Sequence, residues 1–489
     1  MTHRGVRRRS ILAMGTALTA VAASACTTQN LAGRKDAVPG PRSCDVVVIG
    51  GGLAGLRAAR ALAGRGVDVL VLEAQGRVGG RTLTVTRTDG SFIDHGGQYV
   101  SPGQDRITAL ADELGVKLFP SWGGGRTVRW SGGARTTFDG MLPPGDPDAE
   151  PAARQAAATL TAMAATVALD APWTAPEAAA WDAQTLHGWL AANVGAAGAR
   201  TALSQAIEGV FTGGTSQTSL LAALFWIRSG DPLVPFTATA DPGPERRFDG
   251  GAQQLSNRMA ADLGDRVVLG AMVSLVEHGP AGVRVTAADL SVTARRAIIT
   301  APPVLAERIR YAPALPAVRD HLSQRTPMRW LIKVHCVYPT RFWLEDGLSG
   351  LVQSDAGVVR LCADNSPASG APGILVGFIG EGEAPQSATM TPDERRAAVL
   401  ADLVRYFGEP AGRPLDYYEK VWGDDEFARG AEGGYWTPGV WTSYGAALRA
   451  PVGVLHWAGT DTSAVWNGKM EGALRSGEQA ADEVVSAMS

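Results

Sequence analysis

The chain has 489 residues, 45% of them hydrophobic and 19% charged, with a net charge of −3 and a pI near 6.2. That length supplies core for two or three domains, and the balanced charge, with no basic stripe, excludes a charge-driven nucleic-acid binder. Four scattered cysteines (Cys26, Cys44, Cys336, Cys362) and seven unclustered histidines exclude a disulfide framework and give no metal-ligand spacing.

The first 26 residues read as a targeting segment outside the fold. Arg7-Arg8-Arg9-Ser10-Ile11-Leu12 contains the twin-arginine pattern R-R-x-φ-L, and the apolar stretch Ile11 to Ala23 is too short to span a membrane. Ala23-Ser24-Ala25 fits an A-x-A cleavage site, and Cys26 follows it. Export by the twin-arginine machinery is therefore expected, to a periplasmic, secreted or Cys26-lipidated state. Residues 27–43, with Gly and Pro and little apolar periodicity, read as a linker.

Val46 to Ile49 is a short β-branched run, the mark of a buried parallel strand. Gly50, Gly52 and Gly55 then fit G-x-G-x-x-G. The first glycine serves the tight turn, the second lets a pyrophosphate approach bare backbone, and the third lets the next helix pack close. That helix, from about Leu53 to Gly64, points its positive end at the phosphates. A second strand, Val67 to Leu72, ends at Glu73, 18 residues after Gly55. A carboxylate there suits ribose hydroxyls and repels a 2′-phosphate. Strand, turn, helix and acid in register predict a dinucleotide-binding β-α-β unit.

Farther on, the chain carries a series of blocks. Glu73 opens E-x-x-x-R-x-G-G-R through Arg77, Gly79, Gly80 and Arg81, and Asp94-His95-Gly96-Gly97-Gln98-Tyr99-Val100 follows. Two arginines and a diglycine past the ribose suit a second diphosphate contact. Residues 149–230 are Ala- and Leu-rich with helical periodicity, broken at Asn193 to Gly198 and at Thr212 to Gly214. Phe211, Phe225 and Trp226 there are candidates for a substrate cavity or for core. Glu245 to Gly251, the strands Asp265 to Leu269 and Val273 to Val276, and Ala297 to Ala301 with Pro302-Pro303 come next. Trp330 to Tyr338 is a strand with one lysine, Lys333, inside it. Trp422, Gly433-Gly434-Tyr435-Trp436-Thr437, Gly459-Thr460-Asp461 and the ending W-x-G-x-M-E-G-A at residues 466–473 complete the series.

From about Cys44 to Val485, these blocks resemble those of the flavin-dependent monoamine oxidases. The resemblance implies an α/β fold with two domains, like amine oxidases and glutathione reductase. A Rossmann-like FAD-binding domain would be discontinuous (44–104, 243–303 and 420–486), and an α+β substrate-binding domain would use 105–242 and 304–419. The cofactor is then FAD, touched by Gly50, Gly52, Ala54, Gly55, Glu73, Ala74, Arg81, Gly97, Gln98, Val273, Trp422, Gly459, Asp461 and Met470. In this family pattern Val273 meets the adenine through its backbone, and Asp461 serves the ribityl or pyrophosphate region. Lys333 holds a water against flavin N5, and Trp436 is one wall of an aromatic cage for the amine. The helix opening at Met470 aims its positive end at the flavin carbonyls.

Two positions depart from the pattern. Tyr435 stands where some relatives carry a flavin-bonded cysteine, so FAD is expected to be non-covalent. Lys469 stands where many have a second cage tyrosine. A lysine there repels a cationic amine when charged and attracts a carboxylate. The resemblance implies oxidation of an amine to an imine, then aldehyde or ketone, with dioxygen or another acceptor taking the electrons and hydrogen peroxide as the oxygen product. An L-amino-acid oxidase using Lys469 for the carboxylate is the alternative; a flavin desaturase and a redox-inert FAD-binding protein rank below it. The oligomeric state, a homodimer included, stays open.

Overall fold

The computed structural model describes residues 40–139, 148–210, 214–230, 233, 245–380 and 382–489. The export segment 1–26 and Phe211 fall outside these. The run at Val46–Ile49 is the buried end of β1 (Gly40–Ile49), which pairs in parallel with Leu290–Ile299 on one side and with β2 (Val69–Leu72) on the other. Of the linker expected over 27–43, residues 27–39 lie outside the described residues, and Gly40 to Ser43 are strand, pairing with Leu290 to Thr293. Pro41 is tolerated there because β2 joins only from Val46 onward, so the other edge of this stretch has no β2 ladder to break.

Helix α1 (Leu53–Ala63) crosses between β1 and β2. Its Leu56, Ala58, Ala59 and Leu62 are fully buried, each large side chain contributing roughly 1.5–3 kcal/mol of apolar burial. The sheet runs, in order, Arg310–Ala312, Val273–Gly279, Gly282–Ala287, Leu290–Ile299, β1, β2 and Val267–Val268, with Leu455–Trp457 also parallel to Leu290–Ile299. The expected strand at Asp265 to Leu269 is only Val267–Val268, because Gly264–Arg266 forms a 3₁₀ turn.

A second sheet of seven strands runs Asp416–Val421, Ile332–Tyr338, Gly373–Ile379, Leu361–Asp364, Leu348–Ser354, Arg126–Ser131 and Ala134–Phe138. Every residue of Ile332–Tyr338 is buried, Lys333 included. Between Ala149 and Gly230 the helical periodicity gives helices Ala149–Ala165, Leu186–Asn193, Ala197–Val210 and Leu220–Gly230. Their apolar faces share one core with Trp436 and Trp441. Phe225 and Trp226 belong to that core, at 0% and 2% exposure. Of the two roles open to them, cavity wall or core, they take the core one.

The last helix, Met470–Met488, packs along α1. A Cβ at Gly477 would strike the Ala54 carbonyl, so a glycine there brings the two helices to backbone contact. This crossing carries the end of the chain to the first dinucleotide-type turn.

Candidate active site

The turn after β1 is built by sterics. Gly50 has φ +115, a conformation L side chains rarely adopt, and a Cβ on Gly55 would strike the Gly50 carbonyl. Thr300 Oγ1 locks the turn by donating to the Ile49 carbonyl at 3.0 Å. Gly52 caps α1 with no side-chain hydrogen bond, and a Cβ built on it meets nothing within 4 Å. Free helix N–H groups beside open space are what an anionic diphosphate needs. Ala54 is buried in the first turn of α1, against the last helix.

Glu73 closes the unit. Its carboxylate accepts from Gly51 N at 2.6 Å and from Gln75 N at 2.8 Å. Burial raises its pKa, and the backbone donors and nearby Arg77 oppose that rise. Ala74 beside it is half-buried, as is Val273, the first residue of its strand.

The arginines of this block, expected to make a second diphosphate contact, engage protein groups. Arg77 donates to the carbonyls of Val78, Gly80 and Thr82, so it shapes its own loop. Arg81 donates to the Glu432 carbonyl and to Asp461 Oδ2, the latter at 2.9 Å. Asp461 Oδ1 accepts from Gly434 N at 2.8 Å. Both carboxylate oxygens of Asp461 therefore already hold protein donors. The physical reason is local geometry: the positive φ of Gly79 (+113) and Gly80 (+54) curls the loop's carbonyls around Arg77.

Lys333 projects from the seven-stranded sheet onto the Asp94-to-Gln98 block. Its Nζ donates to Asp94 O at 2.7 Å, Gly96 O at 2.9 Å and Gln98 Oε1 at 2.5 Å. An ammonium has three protons, and three protein acceptors meet them. A water held by Lys333 must share a proton with one of these. Burial pushes the lysine down to about 7, against the pull of Asp94. Gln98 is fixed in turn by Asn365 Oδ1, which accepts from its Nε2 at 2.7 Å. Trp422 donates from Nε1 to the His95 carbonyl at 2.8 Å, steadying the same backbone from the other side. Gly97 lies against the last helix: a Cβ there would stand 3.3 Å from Met470 Sδ.

Trp436 does not offer the open ring face expected of a cage wall. It is 2% exposed and stacks on Trp441 with centroids 3.9 Å apart at 13°. The half-buried ring of this block is Tyr435, one residue earlier. Lys469 is half-buried and stands as N-cap of the last helix, φ −107, with its carbonyl accepting from Thr460 Oγ1 at 2.7 Å. Gly459, at φ +133, donates its N–H to Ser476 Oγ at 3.0 Å.

Several residues in this site escaped the sequence reading. Asn467 Nδ2 donates to the Thr460, Asp461 and Ser463 carbonyls at 2.9–3.1 Å, and its Oδ1 accepts from Trp226 Nε1 at 3.2 Å. It folds the loop that presents Lys469. Glu471 is fully buried and accepts from Ile107 N at 2.8 Å and Arg106 N at 3.2 Å, so it caps the helix Asp105–Glu113 from a distance. Arg247 is buried and donates to the Asn365 carbonyl at 2.9 Å. All three lie inside blocks quoted from the sequence, but only Asn467, a turn-forming residue, carried a local signal of its role.

These features fit FAD. The open space at Gly52, the buried Glu73 carboxylate and the bare backbone of Gly97 against Met470 suit a diphosphate, a ribose and a flat ring in turn.

Comparison with known proteins agrees. The family model for flavin-containing amine oxidoreductases matches residues 53–485. An L-amino acid dehydrogenase of Synechocystis is 36% identical over 455 residues, covering 91% of this chain and 95% of that protein. A flavin-containing amine oxidase of Danio rerio is 34% identical over 449 residues, 91% of this chain and 86% of that one. Among solved structures, wild-type putrescine oxidase bound to putrescine superposes with a TM-score of 0.86 at 36% identity, over 91% of this chain and 100% of that one. Cyclohexylamine oxidase of Brevibacterium oxydans gives 0.85 at 34% identity, over 91% and 99%.

Proposed function

Because the chain belongs to the flavin-containing amine oxidoreductase family, with FAD as its cofactor, we propose that it oxidises an amine to an imine and passes the electrons to dioxygen, giving hydrogen peroxide. FAD supplies the two-electron acceptor; the protein supplies position, dryness and charge. The observation that carries the reading is the buried Lys333 ammonium, held by Asp94, Gly96 and Gln98. A positive charge at this buried position favours the anions formed when a flavin is reduced and when oxygen is. Gly52 and the start of α1 would receive the diphosphate, Glu73 the ribose, and Gly97 with Met470 the ring's neighbourhood. Arg81 and Asp461 act as positioning residues that join the loops on either side.

The Rossmann-like β1-α1-β2 unit and the segments 44–104, 243–303 and 420–486 would form the FAD region. FAD is held without a covalent bond, since Tyr435 carries no thiol. Cys336 and Cys362 lie inside the seven-stranded sheet, where burial pushes the Cys336 thiol up to about 12. The twin-arginine segment, outside the described residues, would export the chain already folded around FAD.

A second reading has its own support. Lys469 at the N-cap of the last helix adds a positive side chain to a positive helix end, and one relative is an L-amino acid dehydrogenase. On this reading Lys469 binds a substrate carboxylate. The test is anaerobic mixing of the yellow protein with paired substrates, each amine beside its α-carboxylated counterpart, followed by air and peroxide detection. Bleaching by amines with peroxide on aeration supports the first reading, and bleaching by the acids alone selects the second. A flavin that no amine or amino acid bleaches sinks both.

A further inference from the structure

Buried polar atoms without a protein partner gather around Lys333. They include Asp94 Oδ2, His95 Nδ1, both ring nitrogens of His335, and Arg247 Nε. His335 is fully buried, and Asp94, His95 and Arg247 nearly so. An imidazole bonded at neither nitrogen is rare in a folded core, because both lose water and gain nothing. Internal water ordinarily satisfies such groups and needs about two to four polar partners, which this cluster provides.

The geometry gives the cluster a direction. His335 lies two residues beyond Lys333 on one strand, so the two side chains share a face. His95 stands edge-on to His335, ring centroids 5.5 Å apart at 83°, and its centroid is 6.4 Å from that of Tyr418. It also sits between Asp94 and Gly96, whose carbonyls hold Lys333. Tyr418 is the register partner of His335 on the edge strand Asp416–Val421, and its side chain engages Arg87. Arg87 in turn pairs with Asp89 and Asp416, whose side chains are each 44% exposed.

We propose that His95 and His335, bridged by internal water, form a proton relay between Lys333 and the sheet edge at Tyr418 and Arg87. The proposal rests on the oxygen-dependent reading above. Taking a hydride from the substrate removes two electrons and one proton. Reducing dioxygen to hydrogen peroxide takes two electrons and two protons. The second proton equals the one the substrate nitrogen sheds as iminium becomes imine; shed to solvent, it must be replaced where oxygen is reduced, and Lys333 is 3% exposed, so its pocket needs a path. Burial keeps both histidines neutral: it pushes His95 down to about 3, with Lys333 and Lys420 adding to the effect. His335 is held well below its ordinary value by burial, then by Lys333, His95 and Arg247. A neutral imidazole has one N–H and one bare nitrogen, so it accepts a proton on one side as it releases one on the other.

Two measurements test the relay on FAD-loaded protein. In stopped flow, His335→Leu and His95→Phe are reduced anaerobically with an amine and then mixed with oxygenated buffer, in H₂O and in D₂O. Reoxidation is expected to slow by about 10²-fold with a larger solvent isotope effect, while anaerobic bleaching falls far less. Reoxidation near the wild-type rate, or equal slowing of both half-reactions, overturns the relay. A crystal structure of the wild-type protein gives an arm independent of turnover. Ordered water bonded to the His335 nitrogens supports the relay, and a dry fit around that ring overturns it. Wild-type protein that bleaches with amines but makes no peroxide instead sinks the oxygen-dependent reading, a failure the crystallographic arm keeps separate.

Discussion

Arg81 and Asp461, 380 residues apart in sequence, form an ion pair with Nη2 to Oδ2 at 2.9 Å. Through Gly434 N on the other carboxylate oxygen, this pair joins the diglycine loop, the Gly433–Gly434 segment and the Gly459–Asp461 loop into one frame. Glu471 adds a second tie, from the last helix to the helix Asp105–Glu113.

Breaking that frame has a cost that separates position from chemistry. Asp461 is nearly buried, and removing one partner of such a pair leaves an uncompensated charge. Asp461→Ala should lose about 3 kcal/mol of stability and release FAD. Thermal unfolding together with the fluorescence of freed flavin reads both; an unchanged melting temperature would contradict the role.

Gly52 and Gly55 should fail in different ways. At Gly52 an added methyl meets nothing within 4 Å, and φ is an ordinary −78. Gly52→Ala should fold normally and yet bind FAD at least about tenfold more weakly, about 1.4 kcal/mol. At Gly55 the methyl meets the Gly50 carbonyl, so Gly55→Ala should be destabilised by about 1–3 kcal/mol even without cofactor. Apoprotein melting and FAD titration of both variants check the contrast.

Lys333→Met should stay yellow and reoxidise slowly, by at least about tenfold, measured by stopped-flow aeration of the reduced protein. The pH dependence of stability gives an independent check. Lys333 is pushed from the ordinary 10.5 down to about 7 by burial. Between those values the unfolded chain binds more protons than the folded one, so this group makes stability rise with pH from about 7 to 10.5 and imposes its full penalty below about 7. The difference in unfolding free energy between wild type and Lys333→Met should change across that window by a few kcal/mol. A flat difference would mean the lysine is not buried as described.

Trp436 tests cage against core. Its face is covered by Trp441, so Trp436→Phe should keep most activity, whereas Trp436→Ala should cost about 3–5 kcal/mol of stability. A Phe variant with intact melting and a strongly raised KM would restore the cage.

Lys469→Ala should leave amine oxidation in place on the leading reading, and should abolish activity on α-carboxylated substrates alone if the second reading holds. Parallel kcat/KM values for one amine and its acid counterpart decide it.

The sequence by itself determined the elements whose causes are local. A β-branched run, three glycines at fixed spacing, an alanine-rich helix and an acid at strand's end constrain one another over a few residues, and the observed β1, α1, β2 and Glu73 follow that pattern. The helical periodicity of 149–230 rests on the same short-range rule. Tertiary structure decided what depends on partners far along the chain. Side-chain type says that Arg77 and Arg81 are cations; only the fold turns one onto its own loop and the other onto Asp461. It gave Lys333 three protein acceptors, buried Trp436 against Trp441, and spent Glu471 on a distant helix. Local pattern fixes backbone conformation because its sterics act between neighbours, whereas a buried polar or aromatic group takes its role from whichever donors, acceptors and surfaces the folded chain brings within a few ångströms of it.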